Sequence, residues 1–137
     1  MTLPKPRIDL GLLVLRLAVA AVFIAHGYMK LFTMGHAGVT GFFAHLGVPL
    51  PGPTAWFIAF LEFAGGIALL AGLGTRVIAG LLVCDMVGAI SLAVFPKGFV
   101  GGYELEFLLG VGALCLALAG PGALSVDARI GGGAGGS

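Results

Sequence analysis

Residues Leu10 to Phe32 read LGLLVLRLAVAAVFIAHGYMKLF, an apolar run that contains Arg16, His26 and Lys30. At about 1.5 Å of rise per residue, a helix of this length crosses the hydrocarbon core of a bilayer, which is about 30 Å thick. Three similar runs extend from about Thr54 to Leu73, Arg76 to Phe95 and Tyr103 to Gly120. A span must satisfy its own backbone hydrogen bonds, and no run alternates as a β-strand does. The sequence therefore predicts four transmembrane helices.

The composition of the 137-residue chain also indicates a membrane protein. Hydrophobic residues make up 59% of the chain and charged residues only 9%, and the mean hydropathy is +1.13. Soluble domains carry about 25% charged residues, so this chain has too few to cover a surface in contact with water. The formal net charge of +1 gives no electrostatic basis for binding nucleic acid.

The connection between the first two spans contains the sequence FFAHL at residues 42–46, followed by Gly47 and Pro49. We expect a short helix here that lies at the membrane surface and ends at these two residues. The predicted fold is all-α, an integral membrane four-helix bundle with a short interfacial helix between spans 1 and 2. Residues 1–130 are predicted to form a single domain. Residues 131–137 contain only Gly, Ala and Ser, which predicts a flexible Gly-rich tail or an artificial addition.

The basic residues predict the orientation of the spans. Those that fall on one side of a four-span topology are Lys5, Arg7, Arg76 and Arg129. The other side has Lys97 and, at its rim, Lys30. The positive-inside rule then places both termini in the cytoplasm. Reporter fusions after Phe32 and after Phe95 should report the outer side, and an outer signal from the turn at Gly74 would refute this topology.

Ionisable residues inside the spans are the most informative feature of the sequence. A charged residue at the centre of a transmembrane helix costs about 2.5–3.5 kcal/mol on insertion scales, so it usually faces the bundle and has a partner. Helix rise predicts two levels, an outer one with His26 and Glu62 and an inner one with Arg16 and Asp85. We therefore expect a buried charge pair between Arg16 and Asp85, with Glu62 as the second choice of partner for Arg16.

A candidate polar pocket follows from the outer level. We expect His26, Lys30, Glu62 and Glu104 to converge there, roofed by the interfacial segment, with Lys30 near Glu104 or Glu106. His26 and Lys30 are one turn apart on one helix face. Glu104 and Glu106 are about 160° apart on a helix, so they cannot both face the interior. A His–carboxylate pair at such a site suits proton transfer, and no catalytic residue is identified beyond these candidates.

Other interpretations of these residues remain open. Paired charges inside a small bundle can serve only to fix helix register, without any chemical role. The three histidines His26, His36 and His45 have spacings that match no standard metal or haem ligand pattern, so we expect no metal site. Cys84 and Cys115 lie within apolar runs and are expected to act as small hydrophobic residues.

Several short motifs occur in order along the chain. They are Leu15-Arg16-Leu17, His26-Gly27-Tyr28-Met29-Lys30-Leu31-Phe32, Gly41-Phe42, Leu46-Gly47-Val48-Pro49, Leu61-Glu62-Phe63-Ala64-Gly65-Gly66, Gly74-Thr75-Arg76, Gly102-Tyr103-Glu104 and Gly120-Pro121-Gly122 with Ser125 and Asp127. In this order they resemble the DoxX family of small bacterial membrane proteins over nearly the whole chain. The resemblance implies a four-helix bundle in the bacterial cytoplasmic (inner) membrane and an association with membrane redox chemistry. Glu106 departs from the apolar residue expected at its position.

Two functions are compatible with this sequence. The first is an integral membrane subunit of a redox complex, with a quinone as the cofactor that such a role suggests and other membrane or redox proteins as partners. The second is a non-enzymatic membrane scaffold or assembly factor that binds other membrane proteins, or itself, through Gly-rich helix faces. A self-sufficient enzyme is not expected, because no complete catalytic constellation is visible in the sequence.

Overall fold

A computed structural model describes residues 2–132 of the chain. The described residues contain no β-strand, and four helical stretches are long and apolar enough to cross a membrane. The predicted all-α membrane bundle is thereby confirmed. The predicted flexible tail at residues 131–137 falls largely outside this range, although Gly131 and Gly132 belong to the last helix.

The helices follow the predicted spans closely. Their bounds are α1 Lys5–Tyr28, α2 Gly35–His45, α3 Pro51–Ala71, α4 Thr75–Ala89, α5 Glu104–Ala119 and α6 Val126–Gly132. The first span continues beyond α1 through a π-helical turn at Met29–Met34. Between α4 and α5 the chain passes through short turns at Ile90–Val94 and Phe95–Lys97 and a bent segment at Phe99–Tyr103. The four long helices are α1, α3, α4 and α5, with α1 packed mainly on α3 and α4 mainly on α5.

The short helix predicted between the first two spans is α2. It begins at Gly35, several residues earlier than expected, because the φ of +73° at this glycine interrupts the helix that started in α1. The ring of His36 stacks on Trp56 at 4.2 Å, and its Nε2 lies 2.9 Å from the carbonyl oxygen of Gly52. These contacts hold α2 against the beginning of α3.

The core of the bundle is small and the outer surface is strongly apolar. The buried core consists of Val19, Ala20, Phe23, Leu69, Ala79, Leu82, Met86, Leu109, Ala113 and Leu116. Outside it, apolar side chains are more than half exposed on every long helix, for example Val14 (59%), Phe57 (57%), Val87 (60%) and Leu118 (71%). An apolar surface that surrounds the whole bundle belongs in lipid rather than water.

The segment after α5 (residues 120–132, the C-terminal segment) crosses the end of the bundle where α1 begins. The carboxylate of Asp127 accepts hydrogen bonds from the backbone N–H groups of Gly74 and Thr75, at 2.8 and 2.9 Å. The carboxylate of Asp9 accepts one from the N–H of Ala123 at 3.0 Å. The beginning of α1, the α3–α4 turn and the C-terminal segment therefore lie at one end of the bundle, which we call the terminal end.

Asp127 should make the stability of the protein depend on pH. Burial acts to raise the pKa of the Asp127 carboxyl, but the N–H groups of Thr75 and Gly74 and the charge of Arg16 outweigh it and hold the pKa below its ordinary value. A group with a lowered folded pKa adds stability above its unfolded pKa of about 3.9, and that stability is lost as the pH falls through the folded pKa. In detergent, the melting temperature of the wild type should fall more steeply in this acid range than that of Asp127→Asn. Parallel curves for the two proteins would contradict the contact.

Candidate functional site

The candidate site is built on a close crossing of α1 and α3. Gly27 and Gly66 are buried at this crossing, and a Cβ atom at Gly27 would lie 2.6 Å from the Cα of Phe63. Glycine is thus required for the two backbones to come this close, as is common between membrane helices. The crossing brings the end of the first span against α3, which places Lys30 beside Glu62.

Lys30 and Glu62 form a buried ion pair across this crossing. The Nζ of Lys30 donates a hydrogen bond to the Oε2 of Glu62 at 2.6 Å, and the side chains are only 17% and 3% exposed. Lys30 projects from the π-helical turn, an irregularity of a kind that is frequent at functional sites. Each charge has the partner that ionisable residues inside a membrane usually require.

Asp85 of α4 completes the site. The carboxyl of Glu62 and the charge of Lys30 both act on the carboxyl of Asp85, which places Asp85 beside them. The Oδ2 atom of Asp85 is buried and has no hydrogen-bond partner among the described residues. One ammonium group therefore faces two carboxyl groups, and we call Lys30, Glu62 and Asp85 the charged cluster.

The charged cluster differs from the predicted pocket. Lys30 and Glu62 are brought together, but Lys30 pairs with Glu62 rather than with Glu104 or Glu106. The assignment of Asp85 to an inner level is wrong, because Asp85 lies at the level of Glu62. His26 is half-buried on α1, one turn before Lys30, and makes no hydrogen bond to the cluster within the described residues.

The two glutamates at the beginning of α5 have different environments. Glu104 is exposed, and its Oε1 accepts a hydrogen bond from the N–H of Gly101 at 3.1 Å, outside the charged cluster. A carboxylate is favourable there because the first turn of a helix has free N–H groups and a positive dipole end. Glu106 is half-buried instead, and its Oε2 has no partner in the described part of the chain. As expected from helical phase, only one of the two faces inward.

The predicted pairing of Arg16 with Asp85 is wrong. Arg16 is buried, as expected, but its guanidinium donates hydrogen bonds to the carbonyl oxygens of Pro121 and Leu124, at 2.6 and 2.7 Å. The acidic residue that acts on its charge is Asp127. Arg16 lies near the terminal end, whereas Asp85 lies deeper beside Glu62, so Arg16 holds the C-terminal segment and takes no part in the cluster.

A groove of about 170 Å³ lies between α4 and α5 and has the volume of a single six-membered ring. Its lining is apolar apart from Glu106 and includes Met86, Ile90 and Phe107. The residues of the charged cluster do not line it, so a quinone ring there would find no hydrogen-bonding partner from the cluster. The groove therefore does not fit a quinone that exchanges protons with these residues. Within residues 2–132, no three His, Cys, Asp or Glu side chains are arranged as metal ligands.

Comparison with known proteins is consistent with this architecture. The DoxX family model matches residues 11–95, a range that includes the whole charged cluster. The chain is 34% identical over 119 residues to the Bacillus subtilis protein named "Putative oxidoreductase CatD", with 87% of this chain and 86% of the relative covered. It is 35% identical over 124 residues to the inner membrane protein YqjF of Escherichia coli (87% and 91% covered) and 33% identical over 126 residues to YphA, another inner membrane protein of that species (86% and 89% covered).

No solved structure gives a significant match to the chain. The family match spans α1 to α4 and the beginning of the connection to α5, and the relatives match along most of their own length. The apolar outer surface and the four long helices agree with the membrane location in the names of the E. coli relatives. The chain belongs to the DoxX family of membrane proteins.

Proposed function

We propose that this protein is an integral membrane subunit of an oxidoreductase complex, in which the charged cluster handles protons that accompany electron transfer. The observation that supports the proposal is the burial of Lys30, Glu62 and Asp85 together in a bundle that otherwise buries mainly apolar side chains. Ionisable groups at such a depth are costly and usually mark a functional site. One relative is named as an oxidoreductase, which is consistent with this proposal.

The chemistry available to the cluster is proton exchange. Carboxyl groups are general acids and bases, and two of them beside one ammonium can hold a single proton between them with no net charge. No group in the cluster is itself an electron carrier, so the electrons must come from a partner protein or a lipid-soluble carrier. A quinone remains our suggestion for that carrier, bound where this subunit meets a partner rather than in the α4–α5 groove.

The proposal can be tested in native membranes with the variants Glu62→Gln and His26→Ala. Glu62→Gln should abolish redox activity that depends on the partner, while the protein remains inserted and assembled, because the cluster loses a proton-exchanging group. His26→Ala should have a smaller effect, since His26 is not bonded to the cluster. Glu104→Gln is the matched control, because Glu104 is exposed and outside the cluster. Full activity of Glu62→Gln would refute a chemical role for the cluster.

A second candidate function is a non-enzymatic scaffold or assembly factor. It is favoured by one face of α4, where Gly80, Cys84 and Gly88 follow at one-turn spacing and both glycines have open space beside them. Rows of small residues let another membrane helix approach closely. This function would be favoured over the first if an unrelated membrane protein copurifies with the chain and no redox activity is found. The copurification should then be unaffected by Glu62→Gln.

We also propose that the protein lies in the bacterial inner membrane with both termini in the cytoplasm. Lys5, Arg7, Arg76 and Arg129 lie on the segments that meet at the terminal end. This clustering of basic residues on one side is the pattern that the positive-inside rule describes. The reporter fusions after Phe32 and Phe95 test the orientation.

A further inference from the structure

We infer that Glu62 and Asp85 share one exchangeable proton, so that the charged cluster is a proton-binding site with Lys30 as its fixed counter-ion. The inference concerns the same residues as the proposed redox function but requires no redox partner. Three observations support it. Two carboxyl groups are neighbours, one ammonium group is present for the two of them, and one oxygen of Asp85 has no hydrogen-bond partner among the described residues.

The approach of the two carboxyl groups is the first step. Glu62 of α3 and Asp85 of α4 are about equally distant from the tight α3–α4 turn and act on each other, so their carboxyl groups are neighbours. Two carboxylates cannot hydrogen-bond to each other, because neither has a hydrogen to donate. At this separation they also repel each other strongly unless a proton lies between them, as in paired carboxyl groups of known acid–base sites.

The charge balance is the second step. The titratable groups that the packed elements bring to the cluster are Lys30 from the first span, Glu62 from α3 and Asp85 from α4. Near them, α1 carries His26 and α5 brings Glu106 to its interface with α4. With Lys30 charged and one proton on the carboxyl pair, the cluster is neutral. Without that proton, a net negative charge would remain inside the membrane at a cost of several kcal/mol.

The unpartnered oxygen is the third step. The Oδ2 of Asp85 is buried and accepts no hydrogen bond in the described part of the chain, whereas Glu62 Oε2 is bonded to Lys30. A charged carboxylate requires donors at both oxygens more strongly than a neutral carboxyl group does. This asymmetry places the proton mainly on Asp85 and the negative charge on Glu62. Exchange then consists of breaking one O–H bond at Asp85 and forming one bond from the proton to an external acceptor.

Infrared spectroscopy of the full-length protein in lipid nanodiscs tests this inference. A protonated carboxyl group has a C=O stretching band well separated from carboxylate bands, and the band shifts when the proton is exchanged for deuterium. At neutral pH the wild type should show such a band, and Asp85→Asn should lose it; all variants are compared in a Glu106→Gln background, because Glu106 also has a buried oxygen without a partner among the described residues. Glu62→Gln should also lose it, because Asp85 then ionises as the partner of Lys30. Lys30→Met should roughly double it, because Glu62 loses its counter-ion and takes up a proton of its own.

Asp9→Asn is the control, because Asp9 lies at the terminal end and is bonded to Lys5 and Ala123. It should leave the band unchanged. A band that persists in both Asp85→Asn and Glu62→Gln, or that is absent from the wild type, would overturn the inference. A band that behaves as expected in a protein whose Glu62→Gln variant keeps full redox activity would support the proton site while refuting the proposed redox function.

Discussion

Replacement of Gly27 by alanine is expected to destabilise the bundle by about 3 kcal/mol, near the upper end of the cost of overpacking a core position. The added methyl group would overlap the backbone of Phe63, 2.6 Å from its Cα, and a backbone cannot move aside as the end of a flexible side chain can. The helices α1 and α3 would have to separate. That separation would also pull Lys30 away from Glu62.

Unfolding of the purified protein by heat or SDS in detergent measures this effect. Gly11→Ala on the same helix is the control, because Gly11 is exposed and has no atom within 4 Å of the position of an added Cβ. It should be neutral, or more stable by up to about 1 kcal/mol, since alanine favours helix more than glycine does. If the two variants unfold alike, α1 and α3 do not cross at Gly27.

The spans could be predicted from the sequence because hydropathy and length decide them independently of packing. Each of the four apolar runs became a long helix, with ends no more than six residues from those expected. The interfacial helix was found but its beginning was misplaced, since the interruption at Gly35 depends on one backbone angle. The sequence does not show whether a glycine in an apolar run bends the chain or lets a neighbouring helix approach.

The site was predicted only in part, and the error at Asp85 has a clear cause. The depth of Glu62 was counted from the outer end of its span and the depth of Asp85 from the inner end of its own, so two residues near the middle of the bilayer were assigned to different levels. The tight α3–α4 turn is a better reference, because residues equally distant from the turn of an antiparallel helix pair lie at the same level. Glu62 is eleven residues before Leu73 and Asp85 is twelve residues after it. This spacing would have placed the two carboxyl groups together.

The partner of Arg16 could not be found by matching charges. A buried arginine can be satisfied by carbonyl oxygens as well as by carboxylates, because its planar group offers five N–H donors. Here the oxygens belong to Pro121 and Leu124, more than a hundred residues along the chain. Glu104 was misplaced for a related reason, since the N–H group of Gly101, from which its carboxylate accepts a hydrogen bond, can be located only when the backbone before α5 is known.

Lys30→Glu is expected to be the most damaging single substitution at the charged cluster. It would place three carboxyl groups together with no cation, whereas breaking a buried ion pair by removing one partner already costs about 3–5 kcal/mol. Little folded protein should be recovered from membranes. Lys5→Glu is the control, because Lys5 pairs with Asp9 at the terminal end and its side chain is 76% exposed. An exposed pair contributes about 1 kcal/mol or less.

Exchange of the two charges tests the charged cluster most directly. The double variant with Lys30→Glu and Glu62→Lys restores an ion pair across the α1–α3 crossing and leaves one cation for two carboxyl groups, as in the wild type. Its melting temperature in detergent and its level in the membrane should recover most of what Lys30→Glu and Glu62→Lys each lose alone. If the decreases in melting temperature caused by the two single substitutions simply add in the double variant, Lys30 and Glu62 are not partners. That result would contradict the ion pair at the centre of the charged cluster.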